Sequence, residues 1–157
     1  IPKLDTASVT DMNYMFNNCY SLKTIPKLNT SSVTNMYNMF KNCYSLISLD
    51  LSSFDTSNVS NMGYMFNTCY SLKSLDLSSF DTSNVGNMGY MFSGCSLLTH
   101  LDIRNFNFTK VTNSVGMFNN IPANCEIIVK DDTAKEWVLT KRTDLINVKT
   151  VAELETN

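Results

Sequence analysis

The spacing of the cysteines indicates whether they could bind a metal ion or form disulfides. Cys19, Cys43, Cys69 and Cys95 lie far apart in the chain at nearly equal intervals, whereas zinc sites use closely spaced Cys-x-x-Cys pairs. This spacing predicts compact apolar side chains in a core and no metal site. Disulfides remain an alternative, because stacking would bring cysteines of neighbouring repeats close together. Cys125 lies outside the series and is predicted to be the exposed thiol.

Groups that could support catalysis are sparse. His100 is the only histidine, so the sequence holds no histidine cluster for a metal and no recognisable Ser-His-Asp triad. It aligns with Ser48 and Ser74 at predicted outward positions, where we expect solvent to surround it. The five glycines are scattered and form no phosphate-binding loop. We therefore expect neither an enzyme nor a bound cofactor.

Acidic side chains recur at one outward position. Asp50, Asp76 and Asp102 follow one another at equal intervals, so their carboxylates would form a column. Like charges on neighbouring strands repel, which favours a basic partner or a loosely held Ca²⁺ beside them. Together with His100 and Arg104, these residues form the first candidate partner-binding site. The alternative is a solvated row that keeps the protein soluble, and such rows are commoner than binding sites.

A second column consists of tyrosines. Tyr20, Tyr44 and Tyr70 each follow a cysteine of the series directly. Exposed tyrosines suit binding surfaces, so these three form the second candidate site. Alternatively, they only cover the convex face of the molecule.

A repeat that runs through most of the chain positions these residues. The phrase LDLSSFDTSNV begins at Leu49 and Leu75, and NMGYMF begins at Asn61 and Asn87, so both phrases return after the same interval. So short a unit cannot bury its own apolar face, and successive units must stack. We predict a repeat solenoid over residues 1–118, with five units and a period of about 24–26 residues. The units are marked by Met15-Phe16, Met39-Phe40, Met65-Phe66, Met91-Phe92 and Met117-Phe118.

Each unit combines two patterns. Leu72, Leu75 and Leu77 have the spacing of a leucine-rich repeat, which predicts a short strand with leucines inward that pairs in parallel with the next unit. The three-residue steps from Met62 to Cys69 predict a helical or 3₁₀ turn on the opposite side. The expected fold is therefore an α/β solenoid of the leucine-rich-repeat type. Pro26 cannot donate a hydrogen bond to a sheet, so we expect the sheet to fray towards the N-terminal end.

The pattern changes after residue 118. Residues 119–157 are predicted to form a small α+β cap on the last unit. It contains a strand near Glu126–Lys130, a helix that begins near Asp132, and a second strand near Ile146–Val151. Lys141 and Arg142 are predicted for the last helical turn. The residues expected to cover the open end of the array are Ile128, Trp137 and Val138.

Charge and hydropathy exclude two classes of partner. A net charge of −2 and a pI near 5.2 argue against nucleic-acid binding, which needs a basic surface. No apolar run reaches the length of about 18 residues that a membrane span needs. Because Ile1 begins in mid-repeat, we expect a piece of a longer protein, with any anchor outside this segment. We also expect the chain to be a monomer.

The consensus LDLSSFDTSNVxNMxYMFxxCxSL, spread over about residues 4–118, resembles the surface-protein repeat of the BspA-like leucine-rich repeat family of mycoplasmas and Gram-positive bacteria. The resemblance implies an extracellular protein of the bacterial cell surface, with a role in adhesion and no catalytic residues. We therefore expect a non-catalytic interaction module that binds a host or matrix protein or glycan. The alternative is a structural stalk that holds another domain away from the cell wall.

Overall fold

A computed structural model describes residues 4–156, so the predicted start of the array at Ile1–Lys3 lies outside the described residues. The four strands form one parallel sheet in the order β1-β2-β3-β4, which makes the fold α/β. The elements, in chain order, are β1 (Ser74–Asp76), β2 (His100–Asp102), β3 (Glu126–Val129), α1 (Asp132–Lys141), β4 (Val148–Thr150) and α2 (Val151–Glu155).

The register of the sheet follows the repeat. Leu75 of β1 pairs with Leu101 of β2, and both side chains are buried. The predicted leucine-inward strands are therefore confirmed at these positions. The first two units contribute no strand within the described residues, so the sheet ends towards the N-terminal side as predicted. Pro26 explains this in the first unit, because it lacks the N–H that a sheet needs. Residues 48–50 of the second unit form no strand although they have the sequence of β1.

The segment that carries the Met-Phe pair is not helical. The N–H of Met65 donates to Met62 O at 3.2 Å within its own unit. The N–H groups of Tyr64 and Phe66 instead donate to carbonyls of the next unit, at 2.8 and 2.9 Å. A helix would direct every N–H along its own axis. The predicted helical or 3₁₀ turn is therefore present only as separate i→i−3 bonds, such as that of Met65, because alternate N–H groups are used to join neighbouring units.

A second feature of this segment is its backbone conformation. Residues with positive φ occupy two positions of each unit, such as Tyr64 and Thr68, both at φ 57°. Each of these left-handed residues turns the backbone away from a helical path. Single-residue parallel bridges then join the units in register: Asp11 to Asn35, Asn35 to Asn61, Asn61 to Asn87 and Asn87 to Asn113.

The core consists of equivalent residues from successive units. The rings of Phe40 and Phe66 are stacked with centroids 5.6 Å apart, and those of Phe66 and Phe92 are 6.1 Å apart. The methionines of the second to fourth units are fully buried as well. The Met-Phe pairs of these three units therefore belong to the core. Contact between equivalent side chains lets each unit bury an apolar face that it could not bury alone.

The cysteines of the series are part of this core. Cys43, Cys69 and Cys95 are fully buried, and the thiol of Cys69 donates to Phe40 O at 3.2 Å. Burial raises the pKa of Cys43 to about 12. Cys125, predicted to be exposed, is also fully buried. That prediction is wrong because the chain turns inward just before β3, where the N–H of Cys125 donates to Pro122 O.

The segment after residue 118 contains the predicted strand, helix and second strand. Val138 of α1 and Ile128 of β3 are buried, and Trp137 stacks on Phe108 with ring centroids 3.8 Å apart. Arg142, directly after α1, donates from Nη1 to Phe118 O and Ile121 O at 2.8 Å each. In earlier units a cysteine thiol donates to the equivalent phenylalanine carbonyl, so Arg142 supplies the donor that a sixth unit would have supplied.

Candidate functional site

The predicted acidic column divides into two environments. Asp50 and Asp76 are exposed, whereas Asp102 is only 3% exposed. Arg104 Nε lies 3.0 and 2.9 Å from the two carboxylate oxygens of Asp102. The prediction that Asp102 points outward into solvent beside the other two is therefore wrong, because the Arg104 side chain folds over it.

The two exposed carboxylates serve the local backbone. Asp76 Oδ1 accepts from the N–H of Ser78 at 2.9 Å, and Asp50 Oδ1 accepts from Ser52 N at 3.0 Å and Ser52 Oγ at 2.7 Å. The hydrogen bonds from Ser78, with smaller contributions from Arg104 and His100, lower the pKa of Asp76. Both aspartates thus stabilise the turn that follows the sheet side of their unit.

Polar side chains contact one another across the outer face of the sheet. His100 Nδ1 lies 2.9 Å from Glu126 Oε2, and Lys149 Nζ lies 2.7 Å from Glu126 Oε1. Lys149 first, and then His100, lower the pKa of the Glu126 carboxyl. The predicted residues His100, Asp102 and Arg104 therefore lie on one face, but they do not form an acidic stripe. Arg104 is ion-paired with Asp102, and the His100 ring is hydrogen-bonded to Glu126. Within residues 4–156, no three His, Cys, Asp or Glu side chains are placed to hold a metal ion.

The tyrosines after the cysteines form a regular column. The ring centroids of Tyr20 and Tyr44 are 4.9 Å apart, and those of Tyr44 and Tyr70 are 5.0 Å apart. The planes differ by 18° and 23°, so the rings are stacked. All three side chains are exposed. The predicted column is confirmed, although its role in binding stays a prediction.

A second tyrosine column was not predicted. When the units are aligned, Tyr64 is equivalent to Asn38, and Tyr37 lies one residue earlier. This shift hides the tyrosine series in the alignment. Gly63 leaves room for it, since a Cβ there would lie 3.1 Å from Tyr37 Cδ2. The signal that could have revealed the column is that all seven tyrosines lie in the Met-Phe segments. Successive centroids are 5.9, 5.6 and 4.8 Å apart along the column Tyr14, Tyr37, Tyr64 and Tyr90.

The solvent-exposed side of these segments is named here the tyrosine face. It is formed by residues 12–22, 36–46, 62–72, 88–98 and 114–120, in which Lys41 is the only charged residue. Lys41 Nζ lies 4.9 Å from the centroid of the Tyr64 ring.

Neutral hydrogen-bonding groups lie beside the tyrosines on this face. Asn42 Nδ2 donates to Asn18 Oδ1 at 2.7 Å, and the Thr68 hydroxyl donates to Asn42 Oδ1. Three of the tyrosines, Tyr14, Tyr64 and Tyr90, hold a positive φ, a conformation that costs free energy and persists where surrounding structure enforces it. The face therefore presents rings, hydroxyls and amides in fixed positions.

Four parallel strands and units joined in register define a repeat-containing α/β protein. No helix within residues 4–156 is both long and apolar enough to cross a membrane. The chain belongs to the family described as Mycoplasma protein of unknown function, DUF285, whose model matches residues 1–75 and 47–148. No curated protein and no solved structure matches this chain.

Proposed function

We propose that residues 1–118 form a leucine-rich-repeat-like solenoid of the BspA-like kind and that residues 119–157 cap it. The parallel bridges that join Asp11 and the equivalent asparagines of the later units support this proposal. So do the bonds of Arg142 to the last unit, because the end of a stack needs partners for groups that a further unit would have satisfied.

We propose that the solenoid is a non-catalytic interaction module of a bacterial cell-surface protein and that its partner is a host or matrix protein or glycan. The observation that carries this proposal is the tyrosine face. Protein interaction surfaces are enriched in tyrosine and depleted of charge at their centres. Here seven tyrosines and one lysine lie in segments that hold no other charged residue. Binding surfaces built from Tyr, Ser, Gly and Asn are known to be versatile.

The tyrosine face is a better candidate than the outer face of the sheet. Arg104 is already paired with the buried Asp102, and His100 is already hydrogen-bonded to Glu126, so a partner would have to break these contacts to use them. Asp50 and Asp76 remain as accessible carboxylates. They provide the alternative surface that an experiment must separate from the tyrosine face.

The experiment measures binding of the purified chain, as a monomer, to immobilised fibronectin, fibrinogen and mucin. Tyr44→Ser with Tyr70→Ser alters the tyrosine face, and Asp50→Ser with Asp76→Ser is the matched control on the sheet side. We expect saturable binding that the tyrosine variant weakens at least about tenfold and the aspartate variant leaves within about twofold. Because Lys41 is the only charged residue in the segments of this face, binding should persist from about 0.1 M to about 1 M salt.

The opposite results identify the alternatives. Binding that the aspartate variant weakens and salt abolishes would assign the site to the acidic residues. Absence of binding to all three surfaces would favour the second candidate function, a stalk that spaces another domain from the cell wall. The near-identical units LDLSSFDTSNV support a stalk, because an array in which each unit contacts only its neighbours tolerates changes of length.

A further inference from the structure

The column Tyr20, Tyr44 and Tyr70 stops at the third of the five units. The fourth unit carries Ser96 at the aligned position, directly after Cys95 as Tyr70 directly follows Cys69. Ser96 is exposed, and so is the neighbouring Leu97, at 52%. The place of a fourth ring in the column is thus taken by the small side chain of Ser96.

The exposures of the three rings fit a stack with open ends. Tyr44, stacked on both sides, is 37% exposed, whereas Tyr20 and Tyr70 at the ends are 51% and 46% exposed. The rings repeat at 4.9–5.0 Å, so a fourth ring of the same series would lie in the layer of the fourth unit, where the chain has Ser96. The free face of Tyr70 together with Ser96 and Leu97 is named here the open step.

We propose that the open step binds one pyranose ring of a neutral glycan, stacked on Tyr70 where a fourth tyrosine would lie. This inference rests on the proposed function and specifies the partner class at the same face. The face of an aromatic ring carries partial negative charge and attracts the weakly positive C–H groups of a sugar face. The hydroxyl rim of the sugar finds neutral partners, because serines, threonines and asparagines surround the tyrosines.

The shape of the step favours a sugar over an aromatic side chain of a protein. Aromatic anchors of protein partners bind in desolvated pockets at the centre of an interface. Ser96 and Leu97, which form part of the open step, are exposed. A ring bound there would therefore keep its rim in water. A sugar ring has one apolar face and a hydroxyl rim that hydrogen-bonds with water, and it tolerates this position. Lys41 is the only charged residue in the segments of this face, so a neutral sugar finds uncharged hydrogen-bonding partners there.

The test follows the ring resonances of Tyr70 by NMR while the chain is titrated with methyl glycosides of glucose, galactose and N-acetylglucosamine. We expect at least one glycoside to shift the Tyr70 signals saturably, with a Kd on the order of millimolar for a single ring. The signals of Tyr44 should move less, because neighbouring rings cover both of its faces. N-acetylphenylalanine amide serves as the aromatic probe and should leave Tyr70 unchanged.

Two variants and a control make the test specific. Ser96→Tyr places the chain's own ring in the open step and should weaken glycoside binding at least about tenfold. Tyr70→Ser removes the ring and should abolish binding, which is followed in this variant by the methyl signals of the exposed Leu97. Ser74→Tyr adds the same side chain at an exposed position of β1 and should leave binding unchanged. Circular dichroism and thermal unfolding check folding, and three other units already accommodate tyrosine at the position of Ser96.

The outcomes separate this inference from the proposed function. Absence of a saturable Tyr70 shift with every glycoside, or a shift that Ser96→Tyr leaves intact, overturns the glycan assignment. A Tyr70 shift with N-acetylphenylalanine amide alone also overturns it, in favour of a protein partner. In either case, loss of fibronectin, fibrinogen or mucin binding in the Tyr44→Ser, Tyr70→Ser variant would leave the interaction module standing.

Discussion

At the residue scale, one repeat position can hold two different environments. Asp76 and Asp102 pair across neighbouring strands, yet one carboxylate is exposed and the other is buried under Arg104. The difference arises two residues later, where the third unit has Ser78 and the fourth has Arg104. A buried carboxylate needs such a partner, because an unpaired charge in a protein interior is very costly.

The alternation of inward and outward residues in β1 leads to the first prediction. Leu75 is buried and Asp76 is exposed. Leu75→Asp should lower the free energy of unfolding by more than about 3 kcal/mol, since it buries an unpaired charge. Asp76→Ser should change it by less than about 0.5 kcal/mol, because a serine oxygen can still accept from Ser78 N. Equilibrium denaturation measures both variants, and the reverse ranking would contradict the register of the strand.

The cysteines allow a second prediction, on thiol reactivity. Burial raises the pKa of Cys43, Cys95 and Cys125 to about 12, and the reactive species is the thiolate. Cys19 is only partly buried. At pH 8, Ellman's reagent should therefore label Cys19 in the folded protein, and all five thiols only after denaturation in guanidinium. Rapid labelling of Cys125 in the folded chain would contradict its burial, and Cys19→Ser is the control that should leave almost no fast phase.

At the element scale, the Met-Phe segments act as a ladder between units. All residues with positive φ, glycines included, fall at two positions of the repeat within residues 4–156. At one of these positions stand Tyr14, Asn38, Tyr64, Tyr90 and Gly116. The other holds Asn18, Asn42, Thr68, Gly94 and Asn120. The bonds between units hold tyrosine and threonine in a conformation that isolated residues avoid.

Two glycines of the fourth unit give a matched prediction for this ladder. Gly94 has φ +80°, and a Cβ there would lie 2.9 Å from Thr68 Cγ2 and 3.3 Å from Thr68 Cα. Gly94→Ala should therefore destabilise the protein by about 1–2 kcal/mol. Gly86→Ala is the control, because its Cβ would meet no atom closer than 3.8 Å, and it should be neutral or stabilising by up to about 1 kcal/mol. Thermal and urea unfolding measure both, and equal effects would contradict the close approach of the two units.

At the scale of the whole molecule, burial increases from the first unit to the third. Met15, Phe16, Cys19 and Leu22 are only partly buried, whereas their equivalents in the third unit are fully buried. A stack in which each unit contacts only its neighbours opens most easily at the less buried end.

Hydrogen exchange should detect this gradient. The N–H groups of Phe16 and Phe66 make equivalent bonds to the next unit, both at 2.9 Å. We expect the amide of Phe66 to exchange at least about tenfold more slowly than that of Phe16, since the first unit opens without the rest of the array. Amides of Tyr14 and Tyr64 should differ in the same direction. Equal protection along the array would instead indicate that the whole chain unfolds as one cooperative unit.

Much of the architecture could be predicted from the sequence, because a fixed period states which residues are equivalent. Equivalent residues of stacked units become neighbours, and this places Leu75 beside Leu101 and Tyr44 between Tyr20 and Tyr70. The strand, helix and second strand after residue 118 could also be predicted, since Asp132 opens a helical pattern and Lys141 ends it.

The tertiary structure decided what the period leaves open. Periodicity does not specify the direction of each N–H, so the bonds that run between units in place of a helical turn were missed. Nor does it specify contacts made by residues that break the repeat. Arg104 over Asp102, Tyr37 in the second tyrosine column and Arg142 below the last unit are three such cases. In each, a long side chain reaches a partner outside its own repeat position, and only the packed molecule brings the two together.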